Sequence, residues 1–213
     1  AIRYCLAHED IFRTQLRAIL RASAFGRIRI MIPLVTEVAE MRRVRALTED
    51  IKKELRSEGK AFDEDIKIGA MIETPAACMT ADILAGECDF FSIGTNDLTQ
   101  YTMAADRGNR QVGYLNDVFE PAVLRAIRYI IKCAGDAGIP VGMCGEAAAD
   151  PRLTPLLVSF GLDEFSVNPS SVLRTRYNIS LWTGEKADKV TAAVMDMASA
   201  DDIKAYLTSL QSR

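Results

Sequence analysis

The sequence predicts an α/β fold of the (β/α)8 TIM-barrel type that is incomplete, with about five parallel strands and C-terminal helices. Short apolar segments alternate with amphipathic helical segments, the pattern of a parallel sheet. Of the 213 residues, 49% are hydrophobic, enough to bury one sizeable core. A closed barrel takes eight strands and about 250 residues. We therefore expect a partial barrel, or one that another chain completes.

In the first half of the chain, apolar residues at helical spacing predict helices, and alternating charged and apolar residues predict strands. Glycines and prolines mark where these elements end and begin. The predicted elements are, in order, a helix from Glu9 to Phe25 ended by Gly26, a strand from Arg27 to Pro33, a long charged helix with Thr36 as its N-cap that runs to about Glu58 and is ended by Gly59, a strand from Lys67 to Glu73, a helix opening at Thr74-Pro75, a strand from Phe90 to Gly94, and a short helix from Asp97.

The second half continues the alternation and then changes character after Gly184. We assign residues 1–180 to a partial barrel and residues 181–213 to a helical tail packed on it. The predicted elements are a helix from Pro121 to Ala137, a strand from Val141 to Cys144, a helix with Asp150-Pro151 at its start, a strand from Glu164 to Asn168, a helical segment near Ser170 to Tyr177, and two charged helices from Lys186 to Ala198 and from Asp201 to Leu210.

Composition excludes several functional classes. The net charge of −3 comes from mixed signs spread along the chain, so nucleic acid is not an expected partner. The five cysteines are an odd number without CxxC spacing, which argues against a disulfide framework and a zinc site and fits the cytoplasm. No long apolar run and no leader pattern is present, so we expect no membrane contact. The start at Ala1, in mid-pattern, suggests a piece of something longer.

Chemistry in parallel α/β folds gathers where strands end and loops begin. That rule selects four places in this sequence. They are Glu73, the segment Asn96-Asp97, Cys144 with Gly145-Glu146, and Asn168.

Two of these places carry carboxylates at the ends of consecutive predicted strands. Because neighbouring strands lie roughly 4.8 Å apart, Glu73 and Asp97 could both reach one hard cation. Magnesium is the natural candidate, since two carboxylates leave coordination positions for substrate oxygens. The alternative is that each carboxylate caps the helix that follows it.

The turn Gly94-Thr95-Asn96-Asp97 leads into a helix, where free backbone N–H groups favour an anion. Arg107 follows in a turn-forming stretch and could present its guanidinium to a phosphate. The alternative is an arginine that is solvated or pairs with a neighbouring acid such as Asp106.

Cys144 lies between Gly142 and Gly145, so small residues leave room around a thiol at a strand end. Such a thiol can donate a proton to carbon, although a buried structural cysteine is the alternative. His8, the single histidine, is interpreted as a partly exposed surface side chain.

Four long motifs stand out in the sequence. They are SIGTNDLTQYTMAADRGN from Ser92 to Asn109, LRAILRASAFGRIRIMIP from Leu16 to Pro33, GKAFDEDIKIGAMIETPAA from Gly59 to Ala77, and GMCGE from Gly142 to Glu146. These motifs resemble those of the phosphoenolpyruvate-utilising enzymes, and the YTMAADRGN half of the first is closest to enzyme I of the phosphoenolpyruvate:sugar phosphotransferase system. The resemblance covers roughly residues 1–178.

The resemblance implies a barrel that binds phosphoenolpyruvate and Mg²⁺ and forms a homodimer. It implies that Glu73 and Asp97 hold the metal, that Asn96, Asp97 and Arg107 bind the substrate, and that Cys144 is the catalytic residue, protonating the enolate. Enzymes of this kind transfer phosphate from phosphoenolpyruvate to a histidine and on to the phosphocarrier protein HPr in sugar uptake.

The sequence also departs from that family. The phosphoryl-accepting histidine lies on a separate N-terminal domain in the family, and His8 in LAHEDIF does not match its motif. Further phosphate-binding arginines of the family precede Ala1. We therefore expect weak phosphoenolpyruvate binding at best and no phosphotransfer by this chain alone. The alternatives are the corresponding domain of pyruvate phosphate dikinase or phosphoenolpyruvate synthase, and a non-catalytic dimerisation module.

Overall fold

The computed structural model describes residues 1–211, which form one five-stranded parallel sheet with helices packed on it. The strand order follows the chain, with each strand paired to the next. The strands are β1 (Arg29–Ile32), β2 (Lys67–Ile72), β3 (Phe91–Gly94), β4 (Val141–Cys144) and β5 (Glu164–Phe165).

Helices precede, connect and follow the strands, as βα units require. Three short 3-10 turns lie at 113–115, 146–149 and 169–171. The helices are α1 (Ile2–Ala7), α2 (Glu9–Ser23), α3 (Val38–Ser57), α4 (Pro75–Met79), α5 (Ala81–Ala85), α6 (Thr95–Thr102), α7 (Pro121–Ala137), α8 (Thr154–Phe160), α9 (Val172–Ser180), α10 (Gly184–Met195) and α11 (Ala200–Gln211).

The two faces of the sheet differ, because side chains alternate along each strand. The face toward the helices is buried and apolar, as Ile30, Ile72 and Ile93 illustrate. The other face leaves Met31 42% exposed. Across this open face, Arg29 Nη1 of the first strand lies 3.9 Å from Glu164 Oε2 of the last. The sheet therefore curls as a sector of a barrel does, which confirms the predicted incomplete barrel with five parallel strands.

Most predicted elements are present, with shifted boundaries. The N-cap of α3 is Glu37 and not Thr36, because the Glu40 carboxylate reaches back to accept the N–H groups of both residues. The helix predicted at Asp150-Pro151 begins only at Thr154. There Asp150 Oδ1 accepts the Arg152 N–H at 2.9 Å, so the residues after Asp150 form a turn.

The C-terminal helices contribute to the hydrophobic core. Val190 and Val194 of α10 and Ile203 and Leu207 of α11 are buried in it, and α10 packs on α8. A domain boundary at residue 180 stays a prediction, and the last two residues of the predicted tail, 212 and 213, lie outside the described residues. Over residues 1–211, each helix is too short or too polar to cross a membrane.

Candidate active site at the carboxyl ends of three strands

The carboxyl ends of β2, β3 and β4 lie side by side in register. Ile72 pairs with Ile93, and Gly94 pairs with Cys144. Glu73 directly follows Ile72 and therefore stands beside Gly94 at the edge where Cys144 also ends its strand. The three places that the sequence identified at these strand ends are thus brought to one edge of the sheet.

Glu73 is a buried carboxylate, only 4% exposed. Its Oε1 accepts a hydrogen bond of 2.7 Å from the Leu34 backbone N–H. Leu34 has a φ of +57°, a left-handed conformation that is uncommon for leucine and that here aims its N–H at the acid. Burial raises the pKa of Glu73, the Leu34 hydrogen bond opposes that rise, and the nearby Asp97 carboxylate adds to it.

Gly94 gives the Glu73 carboxylate its space. A Cβ on Gly94 would lie 2.5 Å from Glu73 Oε2 and 2.9 Å from Glu73 Cβ, closer than such atoms can approach. The second oxygen of Glu73 therefore rests against the bare backbone of β3, at the strand end that continues into the helix carrying Asp97.

Asp97 lies in the first turn of α6, which begins at Thr95 and not at Asp97 as the sequence predicted. Arg107 Nη2 lies 3.7 Å from Asp97 Oδ1. The Arg107 backbone N–H donates to Gln100 Oε1 at 3.0 Å, which holds the loop against α6. The partner of Arg107 is thus Asp97 and not Asp106, so its guanidinium stands at the same strand end as the two carboxylates.

Asn96 is exposed at the start of α6 and lines a polar cavity of about 240 Å³. Glu146 and Arg152 line the same cavity from the loop after β4. Asn168, the fourth place selected from the sequence, is exposed at the start of the 3-10 turn after β5. The amide of Asn96 is therefore available to a ligand near Asp97.

Cys144 is held at two points. Its Sγ donates to the Ile93 carbonyl oxygen at 3.5 Å, and its own carbonyl accepts a 3.1 Å hydrogen bond from Thr95 Oγ1. The residue is partly exposed. The sulfur of Cys144 thus lies next to the β3 end against which the Glu73 carboxylate lies.

Three of the other four thiols are buried and so differ from Cys144, whereas Cys5 is partly exposed. Burial raises the pKa of Cys78 to about 11 and the pKa of Cys88 to about 12. Burial also raises the pKa of Cys133. These three side chains lie in the hydrophobic core and are structural. His8 stacks on the exposed ring of Tyr4, as its surface interpretation predicts.

The donor set can be tested against the expected metal. Over residues 1–211, no group of three or more His, Cys, Asp or Glu side chains is arranged to hold a metal ion. Two carboxylates, Glu73 and Asp97, lie near each other, and burial followed by the Asp97 charge raises the pKa of Glu73. Mg²⁺ keeps several waters and commonly takes one or two protein carboxylates plus substrate oxygens, so this pair fits it.

Sequence reasoning missed several supporting residues. Leu34, Gly94 and Thr95 orient Glu73 and Cys144 through contacts between segments that are distant in the sequence. Gly94 and Thr95 were visible in the sequence only as parts of a polar turn. The Leu34 N–H carried no signal in the sequence, because its contact with Glu73 spans 39 positions.

Comparison with known proteins identifies a family. Residues 1–182 match the model described as "PEP-utilising enzyme, PEP-binding domain". The chain is 45% identical over 207 residues to the phosphoenolpyruvate-protein phosphotransferase of Geobacillus stearothermophilus, covering 97% of this chain and 36% of that protein. It is 51% identical over 195 residues to the protein of that name from Latilactobacillus sakei, covering 91% of this chain and 34% of that protein.

The fold has a solved counterpart as well. A citrate lyase from Burkholderia xenovorans LB400 superposes with a TM-score of 0.60 and 16% sequence identity, covering 94% of this chain and 67% of that chain. At this identity the likeness concerns the fold alone, and it agrees with a TIM-barrel-like architecture. The chain spans about a third of the length of the phosphotransferases that it matches, 36% in the first of them.

Proposed function

Because this chain belongs to the phosphoenolpyruvate-utilising enzymes through their PEP-binding domain, we propose that it binds phosphoenolpyruvate with Mg²⁺ as part of a phosphoenolpyruvate-protein phosphotransferase. The observation that carries this proposal is the buried Glu73 carboxylate next to Asp97, at the strand end where the Cys144 thiol also lies. The relatives described above bear the phosphotransferase name, which favours this reading over a dikinase or a synthase.

Glu73 and Asp97 would hold the metal. The Leu34 N–H occupies one oxygen of Glu73, which leaves the other for a ligand. When bound, Mg²⁺ would supply positive charge to the substrate oxygens on which negative charge develops. Burial, and after it the nearby Asp97 carboxylate, raise the pKa of Glu73, so a bound cation would favour the charged form of this side chain.

Asn96 and Arg107 would bind the phosphate. Asn96 is exposed at the N-terminal end of α6, where backbone N–H groups favour an anion. The Arg107 side chain is 52% exposed and lies 3.7 Å from Asp97, so it can turn to a phosphate oxygen while staying beside the metal ligands. Positioning and charge neutralisation are the main contributions that phosphoryl transfer requires from a protein.

Cys144 would complete the reaction as a general acid. Cleavage of the bond between phosphorus and the enol oxygen passes the phosphoryl group to a histidine and leaves the enolate of pyruvate. The thiol proton of Cys144 then adds to C3, which yields pyruvate and a thiolate that water reprotonates. A positioned acid of this kind contributes about 100-fold or more to such a step.

The histidine acceptor and the phosphocarrier protein HPr belong to the same proposal. His8 lies exposed against Tyr4, and we assign it no part in transfer. We expect the acceptor on the part of the parent protein that this chain does not span, together with a homodimeric assembly and a cytoplasmic location. This chain alone would bind its ligands weakly and transfer no phosphate.

The reverse of the proton transfer gives a direct test. Pyruvate incubated with the chain and Mg²⁺ in D₂O should exchange its C3 protons, as followed by proton NMR. Cys144→Ala should slow the exchange about 100-fold. Cys5→Ala, which alters the other partly exposed thiol, should leave the rate unchanged.

Titration calorimetry with phosphoenolpyruvate is the second test of the proposed function, because it measures binding directly. Binding should require Mg²⁺ and should weaken in Arg107→Ala. A chain that neither exchanges pyruvate protons nor binds phosphoenolpyruvate with Mg²⁺ is a non-catalytic module, and the proposed function is then wrong.

A further inference from the structure

We propose that Thr95 is a positioning residue for Cys144. Its hydroxyl ties the end of β4 to the first turn of α6 and so fixes the thiol relative to Asn96 and Asp97. The catalytic consequence of this tie rests on the proposed function, whereas the tie itself does not.

The hydroxyl of Thr95 is committed to this contact. Thr95 is 1% exposed, and its Oγ1 donates to the Cys144 carbonyl oxygen at 3.1 Å across 49 positions of sequence. The Thr95 carbonyl in turn accepts from Thr99 Oγ1 at 2.7 Å, which binds Thr95 into α6. The hydrogen bond thus connects a helix and a strand that carry different parts of the site.

The backbone of Gly145 approaches the Thr95 hydroxyl closely, in a conformation that favours glycine. Its φ of +100° and ψ of 178° lie in a region that is essentially restricted to glycine. Independently of that, a Cβ on Gly145 would lie 2.5 Å from Thr95 Oγ1. The chain therefore leaves β4 in a conformation that only glycine adopts and that places the Thr95 hydroxyl against the Cys144–Gly145 peptide.

The thiol has a second tie to the same segment. Cys144 Sγ donates to the carbonyl of Ile93, two residues before Thr95. Ile93 and Thr95 thus hold Cys144 by its side chain and by its carbonyl, while Gly94 between them accommodates Glu73. Three consecutive residues of β3 and α6 set the distance between the proton donor and the metal ligands. A displacement of about 1 Å at such a position can lower a rate about 100-fold.

Two variants of Thr95 distinguish the effect of its hydroxyl group from the effect of its size, and a third variant at another position is the control. Thr95→Val keeps the shape and removes the donor, and Thr95→Ser keeps the donor. Thr48→Val is the matched control, because Thr48 is also fully buried and donates to a backbone carbonyl, that of Val44, at 2.8 Å on a different helix. If Thr95→Val does not fold by circular dichroism, Thr95→Ala removes the same donor without overpacking.

The first measurement is independent of catalysis. Cys144 in the full chain is alkylated with iodoacetamide and quantified peptide by peptide, with Cys5 as the internal reference. Loss of the tie should make Cys144 react about fivefold faster, the factor that corresponds to one hydrogen bond. Thr95→Ser and Thr48→Val should react as the wild-type chain does. An unchanged rate in Thr95→Val, or an equal acceleration in Thr48→Val, overturns the inference.

The second measurement is exchange of the C3 protons of pyruvate, with Mg²⁺ affinity recorded in parallel. Thr95→Val should lose about tenfold or more in exchange rate, and Thr95→Ser should recover it. Mg²⁺ affinity should change by less than about threefold in either variant, because neither variant removes a ligand.

The two proposals fail in different ways. If the wild-type chain exchanges protons and Thr95→Val does so equally fast, the positioning role is wrong and the proposed function stands. If the wild-type chain neither exchanges protons nor binds phosphoenolpyruvate with Mg²⁺, the proposed function is wrong and the alkylation result alone decides the inference.

Discussion

Acidic side chains lie at both ends of the parallel strands, and their surroundings differ. At the amino end of β2, Asp89 Oδ2 accepts the Ile68 N–H at 2.8 Å and pairs with Arg45 at 3.1 Å. At the carboxyl end of the same strand, Glu73 accepts one N–H, from Leu34, and faces a second acid, Asp97. Asp89 therefore pairs directly with a cation, whereas Glu73 lies beside a like charge and the nearby cation, Arg107, pairs with Asp97.

This difference supports Asp89 as a structural acid and Glu73 as the acid that we propose binds a cation. A carboxylate with a donor and a cation is balanced within the protein and strengthens the fold. A buried carboxylate beside another is not balanced, and it persists where a ligand supplies the missing charge. Both acids lie at strand ends, so position alone does not distinguish them. The presence or absence of a direct cationic partner does.

The largest expected effect on stability comes from filling the space at the carboxyl end. Gly94→Ala places a Cβ 2.5 Å from Glu73 Oε2, so the chain should lose about 3 kcal/mol of unfolding free energy in urea. Gly135→Ala is the control, because Gly135 lies in α7 and a Cβ there meets nothing within 4 Å. Since alanine favours a helix over glycine, this variant should gain about 0.5 kcal/mol of unfolding free energy. Equal stability of both variants would show that Glu73 is not confined by β3.

At the amino end, Asp89→Asn should be the next largest change. It removes the charge that pairs with Arg45 and weakens the acceptor for Ile68, so we expect a loss of about 2 kcal/mol in the same urea experiment. Mg²⁺ binding should be unaffected. A variant that kept its full stability would contradict the assignment of Asp89 as a structural acid.

At the carboxyl end, Glu73→Gln should raise the unfolding free energy at neutral pH when Mg²⁺ is absent, in contrast to the losses expected above. Because burial and Asp97 raise the pKa of Glu73, the folded chain binds a proton more readily than the unfolded chain. Protonation of Glu73 therefore contributes to the unfolding free energy. This contribution is fully present below the pKa of an unfolded glutamate, and it is lost as the pH rises through the raised pKa of the folded chain.

Thermal unfolding between acidic and neutral pH checks this sign. The wild-type chain should lose stability toward neutral pH relative to Glu73→Gln, and added Mg²⁺ should reduce that difference. A wild-type curve that runs parallel to the Glu73→Gln curve at every pH would mean that Glu73 titrates as an exposed acid does.

The smallest expected effect on stability belongs to Arg107→Ala. Its ion pair with Asp97 is long and the side chain is 52% exposed, so unfolding free energy should change by less than about 0.5 kcal/mol. Phosphoenolpyruvate affinity should nevertheless fall. A large loss of stability would place Arg107 in the fold and not in ligand binding.

The strand-end acids could be predicted from sequence, whereas their supports could not. Parallel strands place their carboxyl ends on one edge, so Glu73, Asp97 and Cys144 follow from the order of the elements. The donors that orient them depend on contacts between segments that are 39 positions apart for Leu34 and 49 for Thr95. The same reason explains the wrong helix start at Asp150, where a local side-chain turn to Arg152 replaced the expected helix cap.

Calorimetric titration of the chain with MgCl₂ in the presence of phosphoenolpyruvate tests the central claim most directly. The wild-type chain and Asp89→Asn should bind with the same affinity, whereas Glu73→Gln and Asp97→Asn should each bind about 100-fold more weakly. Affinity that survives both Glu73→Gln and Asp97→Asn would contradict a cation site between these two carboxylates.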